Sequence, residues 1–290
     1  MPGRADARPS PNNTSITMPL ITFNQILPQA RAEKRAVAAF NVANLETVLS
    51  VFKAAEALKA PVIIQVYQRL FKDERASLIA AMVKRLASES DIPIALHLDH
   101  GESLEQLRAA IAIGYTSVMI DGSKLSFAEN IALSAEAARI SHDAGVTLEA
   151  EIGHVPFGDG AIELSTAAEA EAFVAKTGVD ALAISIGTVH GFYKQAPVLD
   201  IGRAREIGEK VGIPLVLHGG TGVPEDQLRL AISSGVAKIN IATELQSLFL
   251  KRVAAELAAC GDKFKPVDLC LKPVEADVQA YVRAKISSLS

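Results

Sequence analysis

The chain reads as an α/β protein, a (β/α)8 TIM barrel with an additional C-terminal helix. Three observations predict this. Eight short apolar runs recur along the 290 residues. Segments of helical period separate them, so that a strand signal returns at intervals of roughly 25–30 residues. The polar residues that interrupt the apolar runs gather at their C-terminal ends, where the loops of a barrel build its site.

The runs are "AVAAFNV" (36–42), "APVIIQV" (60–66), "IPIALHL" (92–98), "TSVMID" (116–121), "VTLEAEI" (146–152), "VDALAIS" (179–185), "IPLVLH" (213–218) and "VAKINIA" (236–242). They are apolar nearly throughout, as parallel strands covered on both faces must be. Between the first two, Leu45, Val48, Leu49 and Phe52 mark one face of a helix over 44–59. Over 126–145, Phe127, Ile131, Ala135 and Ala138 do the same, and Gly145 closes the segment. The stretch 273–289 reads as the extra helix. An open doubly wound sheet is the competing architecture, but no Gly-x-Gly-x-x-Gly follows the first strand. Residues 1–17, rich in Pro, Ser, Asn and Arg, read as a flexible tail. Residues 18–290 read as a single barrel domain.

Composition narrows the function. Net charge is −4, and there is no Trp and no basic stripe with interleaved aromatics, which argues against a nucleic-acid partner. No apolar run reaches the ~18 residues of a membrane span, so no membrane partner is expected. Cys260 and Cys270 are the only cysteines and form no CxxC, which suits a reducing, cytoplasmic setting.

Asn41 ends the first strand; His97, Asp99 and His100 end the third; Asp121 ends the fourth. Glu149 and Glu151 lie on the fifth, His190 follows the sixth, His218 ends the seventh, and Asn240 and Thr243 end the eighth. Four of the six histidines fall at these ends. His100, His190 and His218, far apart in sequence, would converge at a barrel mouth. Three imidazoles with an open fourth position describe a catalytic Zn²⁺ site; alternatively, each is a satisfied polar group at a strand end. "HGGTG" (218–222) and the helix start after "INIATE" (239–244) either cradle a phosphate or merely form tight turns.

Taken together, "AFNVANLE" (39–46), "HLDH" (97–100), "MIDGS" (119–123), "EAEIG" (149–153), "GTVHGFY" (187–193), "VLHGGTG" (216–222) and "INIATEL" (239–245) resemble the class II, zinc-dependent ketose-bisphosphate aldolases. The tagatose-bisphosphate branch is the nearest. The resemblance implies reversible cleavage of a ketose (bis)phosphate, fructose- or tagatose-1,6-bisphosphate-like, to dihydroxyacetone phosphate and an aldehyde. It implies that His100, His190 and His218 hold Zn²⁺ and that Asp99 is the acid/base. It implies that Asp121 and Glu151 support the metal or hold a second divalent ion. Gly191, Gly219, Gly220, Thr221, Asn240, Ala242 and Thr243 match substrate contacts, and Asn41, His97 and Lys194 join them as substrate-side candidates. A monovalent cation beside the "HG" and "HGG" carbonyls and a homodimer or homotetramer are also implied.

Two loops depart from the family pattern. After strand 5 the chain reads "GHVPFGDGAIE" (153–163), with Pro156 and Phe157 where the family has a glycine pair. Asp159 falls at the position of the glutamate that shuttles the enediolate proton; Glu163 and His154 are the other candidates. After strand 2, Tyr67, Gln68 and Arg69 replace a small-residue region. Arg69 either pairs with a phosphate or carboxylate or is a solvated surface charge. A lysine Schiff base would fall to Lys238, the one strand lysine open to that role, and would leave the histidines unexplained. A non-catalytic sugar-phosphate-binding barrel, or a partner subunit, is the alternative to the enzyme.

Overall fold

The computed structural model describes residues 20–158 and 160–290. The tail expected over 1–17 and the candidate Asp159 lie outside the described residues. The eight strands are β1 Val37–Asn41, β2 Val62–Tyr67, β3 Ile94–Gly101, β4 Ser117–Ile120, β5 Thr147–Ile152, β6 Ala181–Ile184, β7 Leu215–Leu217 and β8 Val236–Ile241. Each pairs in parallel with the next, and β8 returns to β1, so the sheet closes as a barrel. The strands come within a few residues of the sequence-based boundaries.

Helix α1 (Leu27–Ala32) precedes β1. After strands β1 to β7 come α2 Leu45–Leu58, α3 Arg75–Ala87, α4 Leu104–Ala112, α5 Phe127–Asp143, α6 Ala167–Thr177, α7 Ile201–Val211 and α8 Glu225–Ser233. Then α9 (Thr243–Cys260) and α10 (Val267–Leu289) follow β8. Local chemistry fixes several starts. Ser126 and Glu129 cap one another reciprocally at α5, and Thr166 and Glu169 do so at α6.

The period of two decides which residues face inward. Phe40, Ile64, Leu96, Val118, Leu148 and Leu182 point outward and pack under the helices. Val37, Ala39, Ile63, Ala95, Ala181, Ala183 and Val216 point inward. Four of these inward residues are alanines, and the chain before β1 fills the space they leave. A short 3-10 turn, Phe23–Gln25, and helix α1 close the floor, placing Ile21, Phe23, Ile26, Leu27 and Ala30 in the same inner cluster. The sequence-based reading contained no such plug.

Helix α10 begins six residues before the predicted start, and Pro273 sits inside it. Proline deprives the carbonyl four residues back of its partner; that residue, Leu269, is exposed and open to water. Tertiary packing outweighs the loss, because Val274, Val278, Val282, Ile286 and Leu289 are all buried. This helix lies against α2, α8 and β1 and so completes the outer ring. Helix α9 buries only Leu245. Among the described residues no helix is long and apolar enough to cross a membrane.

Candidate active site

Every inward position just above the floor is a potential site residue, and the strands present them in layers. Lower in the barrel, Glu149 and Lys238 form an ion pair at 2.8 Å, both completely buried. His97 shares this layer. Its Nδ1 lies 2.9 Å from Ser117 Oγ, and its ring stacks near Phe23. His97 therefore belongs beneath the mouth, in the core, and not among the residues that line the substrate-side opening where it was expected. Lys238 points at Glu149 from the same depth, which makes its amine inaccessible for a Schiff base.

Above this layer, Asp99 and His100 both face the opening. Adjacent residues of a regular strand face opposite sides, so this needs a break. The β3–β4 register shifts between Leu98 and Gly101, and His100 has a left-handed backbone with φ +53°. A bulge of this kind re-aims a side chain at a site. The next residue is glycine, whose missing Cβ would lie 2.4 Å from the Met119 carbonyl oxygen.

Asp99 is held from two sides. Asn41 Nδ2 donates to Oδ2 at 2.7 Å, and Asn240 Nδ2 donates to Oδ1 at 3.2 Å. Gln65 Nε2 in turn donates to Asn41 Oδ1 at 2.6 Å. Gln65 and Glu149 are residues the sequence-based site did not include. Both lie on inward-facing positions of their strands: Glu149 is two residues before Glu151 on β5, and Gln65 on β2 is level with Asn41 in the β1–β2 register.

His100, His190 and His218 each offer a ring nitrogen, and the three atoms lie within 4.8 Å of one another. The opposite nitrogens are spoken for in two cases: His100 Nδ1 meets Asp121 Oδ2 at 2.8 Å, and His218 Nε2 meets Glu149 Oε1 at 2.9 Å. This leaves His100 Nε2 and His218 Nδ1 buried with no hydrogen-bond partner. Buried polar atoms are ordinarily satisfied, and carboxylate-backed imidazoles with free inward nitrogens are the usual surroundings of a divalent metal. The donor set therefore fits one. Glu151 Oε2 is also unpartnered and lies 3.4 Å from His218 Nδ1. His100, Asp121 and Glu151 form a second grouping able to hold an ion.

The charges agree. Burial pushes His190 down to about 4, with neighbouring His100 adding to the effect, so it is neutral. Burial likewise holds His218 well below the ordinary range. Burial opposes a charge on His100 too, yet Asp99 and the Asp121 hydrogen bond outweigh it and raise this group to about 9. Glu151 is raised to about 8, first by burial and then by Asp121.

The wall formed by β7 and β8 carries the glycines. Gly219 has φ +68°, and a Cβ there would lie 2.3 Å from the Val189 carbonyl oxygen. Its own carbonyl accepts from Tyr193 Oη at 2.8 Å. The Gly220 amide bonds to the Asn240 carbonyl. Thr221 Oγ1 accepts from the Glu244 amide at 3.4 Å, in the first turn of α9. Gly191, Gly219, Thr221, Asn240, Ala242 and Thr243 line one pocket together with Asn41, Asp99, His100 and His190. Tyr67, Arg69, Phe157 and Gln246 complete it. Lys194 sits exposed in the loop after β6, outside this lining.

The loop after β5 is pinned against His190. The His190 amide donates to the Pro156 carbonyl at 2.8 Å, and the Gly158 amide donates to the His190 carbonyl at 3.1 Å. Glu163 is exposed and pairs through its backbone with His154, whose Nδ1 lies 3.2 Å from Ser123 Oγ. Both line a separate shallow cleft beside Ser123.

A barrel with this mouth belongs to the aldolases, lyases that break a carbon–carbon bond beside a carbonyl, and comparison makes the assignment definite. The family model for class-II fructose-bisphosphate aldolase matches residues 21–290, and the chain belongs to that family. It is 41% identical over 263 residues to a probable fructose-bisphosphate aldolase of Bacillus subtilis, covering 86% of this chain and 90% of that one. Identity to the fructose-bisphosphate aldolase of Geobacillus stearothermophilus is also 41% over 263 residues, with the same shares covered. The crystal structure of the YdjI aldolase from Escherichia coli K12 superposes with a TM-score of 0.84 at 32% identity, covering 93% of this chain and 97% of that one. The family is metal-dependent as a class, in keeping with the two donor groups at this mouth.

Proposed function

We propose that the chain is a zinc-dependent aldolase that reversibly cleaves a ketose (bis)phosphate of the fructose- or tagatose-1,6-bisphosphate type to dihydroxyacetone phosphate and an aldehyde. The observation that carries this is the convergence of three imidazole nitrogens, two of them buried and unpartnered, beside a doubly clamped Asp99.

His100, His190 and His218 would hold the ion, with Asp121 and Glu149 fixing two of the rings from behind. Glu151 and Asp121 would support it or take a second divalent ion. A Zn²⁺ ion, when bound, supplies Lewis-acid stabilisation of the negative charge that builds up beside the ketone. Asp99 takes the proton of the substrate hydroxyl during cleavage and returns it during condensation. Asn41 and Asn240 fix both carboxylate oxygens, so the base needs little reorganisation. Gly219, Thr221 and the start of α9 would turn backbone N–H groups toward a phosphate, while the Gly220 amide is committed to the Asn240 carbonyl and braces the turn. Gly191 and Asn240 to Thr243 complete that wall, and carbonyls of the same glycine turns are suited to a monovalent cation. Asp159 remains the candidate for the second proton transfer, because Glu163 and His154 turn to another cleft.

A soluble cytoplasmic homo-oligomer completes the reading. The free thiols of Cys260 and Cys270 support the compartment. The exposed Leu250, Leu257, Phe264 and Val267 on and after α9 support self-association. Release of dihydroxyacetone phosphate from fructose- and tagatose-1,6-bisphosphate, with and without EDTA and restored Zn²⁺, tests the activity. Zinc-restorable release that is lost in Asp99→Ala is the expected result. A protein that binds zinc and sugar phosphate but cleaves neither sugar, nor any other ketose phosphate, would instead be a binding barrel.

A further inference from the structure

Opposite the glycine wall, the mouth carries an arc of aromatic rings in tilted and edge-on contact, whose outer members the family assignment leaves without a role. The Arg69 guanidinium lies over the Tyr67 ring, 4.9 Å from its centroid. The Tyr67 and His100 rings are 5.8 Å apart, His100 and His190 5.1 Å, and His190 and Phe157 4.8 Å. The arc therefore runs from the end of β2, past two of the three imidazoles, to the loop after β5. Its outer members, Tyr67, Arg69 and Phe157, come from the two loops that depart from the family pattern.

Arg69 is the only Lys or Arg among the described residues that line this pocket. Its position is set by the chain on either side. Gln68 is buried, donates to Glu102 Oε1 at 2.6 Å and accepts at its carbonyl from Gln106 Nε2 at 3.0 Å. Leu70 is buried as well. The turn between two anchored residues leaves Arg69 facing the mouth, and attraction to the Tyr67 ring holds its plane. A guanidinium so placed is built to meet a phosphate or carboxylate with two parallel hydrogen bonds.

The glycine wall provides for one anionic group of the substrate, and the imidazoles mark the reacting carbons. What remains of the substrate lies over the arc. We propose that Arg69, mounted on Tyr67, is the specificity-determining residue of the aldehyde half-site and selects aldehydes that end in an anionic group. This rests on the aldolase reading given above.

The test is condensation of dihydroxyacetone phosphate with three short aldehydes on the zinc-loaded full-length enzyme. Glyceraldehyde 3-phosphate ends in a phosphate, tartronate semialdehyde in a carboxylate, and glyceraldehyde in neither. The wild type should favour one or both anionic aldehydes over glyceraldehyde in kcat/KM, and the ranking of the two identifies the anion. In Arg69→Met that preference should collapse at least tenfold, through the KM of the anionic aldehyde. Arg69→Lys should retain an intermediate preference. A loss equal for charged and uncharged aldehydes would make Arg69 a merely structural residue and overturn the proposal. A loss that falls on the KM of dihydroxyacetone phosphate would place the guanidinium in the phosphate wall and overturn it equally. Failure of the wild type to condense any of the three would remove the aldolase reading itself.

Discussion

Replacing Lys238 with methionine isolates what the buried ion pair under the site contributes. Lys238 and Glu149 are both fully buried and 2.8 Å apart, and Glu149 also accepts from His218. Removing the lysine leaves a carboxylate with no compensating charge in the middle of the barrel. Breaking such a pair from one side costs about 3–5 kcal/mol. A domain of this size loses about 2 °C of Tm per kcal/mol, so Lys238→Met should unfold about 6–10 °C lower. Glu149→Gln should be destabilised as well, because it leaves the ammonium alone. The double variant removes both charges, so it should recover at least half of the summed loss. Denaturant unfolding of the four proteins without metal gives the coupling energy directly. Losses that add to within ~0.5 kcal/mol would refute the argument, because uncoupled sites behave that way. So would a single variant as stable as the wild type.

Three further outcomes follow from the same geometry. Asp99→Asn should keep the fold and the bound metal but lower kcat by about 10²–10⁴-fold, the usual share of a positioned acid/base; a variant that loses its metal instead would assign Asp99 a different task. Metal affinity should rise with pH between 7 and 9, by about tenfold per unit for each proton displaced. The reason is that metal-free His100 holds its proton up to about 9 and must give it up to become a ligand. Calorimetric zinc titrations in buffers of different ionisation enthalpy would count the protons, and an affinity flat across this range would contradict the assignment. Phe23→Ala should cost about 3–5 kcal/mol, as large core truncations do, because Phe23 is 1% exposed and plugs a floor of small side chains; unfolding at the wild-type midpoint would mean the plug contributes nothing.

The fold was legible because parallel strands buried on both faces leave near-continuous apolar runs, and nothing else spaces eight of them so evenly. The same property hid part of the site. When both faces are apolar, no polarity pattern announces which parity points inward, so Gln65 gives no signal and Glu149, though conspicuous on its strand, shows no evident role. His97, two residues before Asp99, shares its inward parity and reads as a substrate-side candidate. In a tilted strand, two residues mark a full layer of depth, and His97 ended up in the core. The Asp99–His100 pair was found because both residues are chemically conspicuous. That both could face one way depends on a backbone irregularity no residue type announces. The floor plug was missed because residues 21–30 carry no long periodic run; their contribution comes from filling a hole that the small inward side chains of distant strands create. Pro273 read as a helix start for a sound local reason, which packing along the rest of α10 overrode.

The left-handed backbone at His100 has an evolutionary side. Only glycine adopts φ +53° without penalty, and other residues there carry about 1–3 kcal/mol of conformational cost. The site is thus one where the fold would gain by losing the chemistry: glycine would relax the bulge while deleting a proposed metal ligand and the charge it holds among Asp99, Asp121 and Glu151. A selection that rewards only heat resistance would drift toward that exchange. Populations evolved for thermal endurance alone should accumulate changes at this bulge, and those required to keep turning over substrate should hold it fixed.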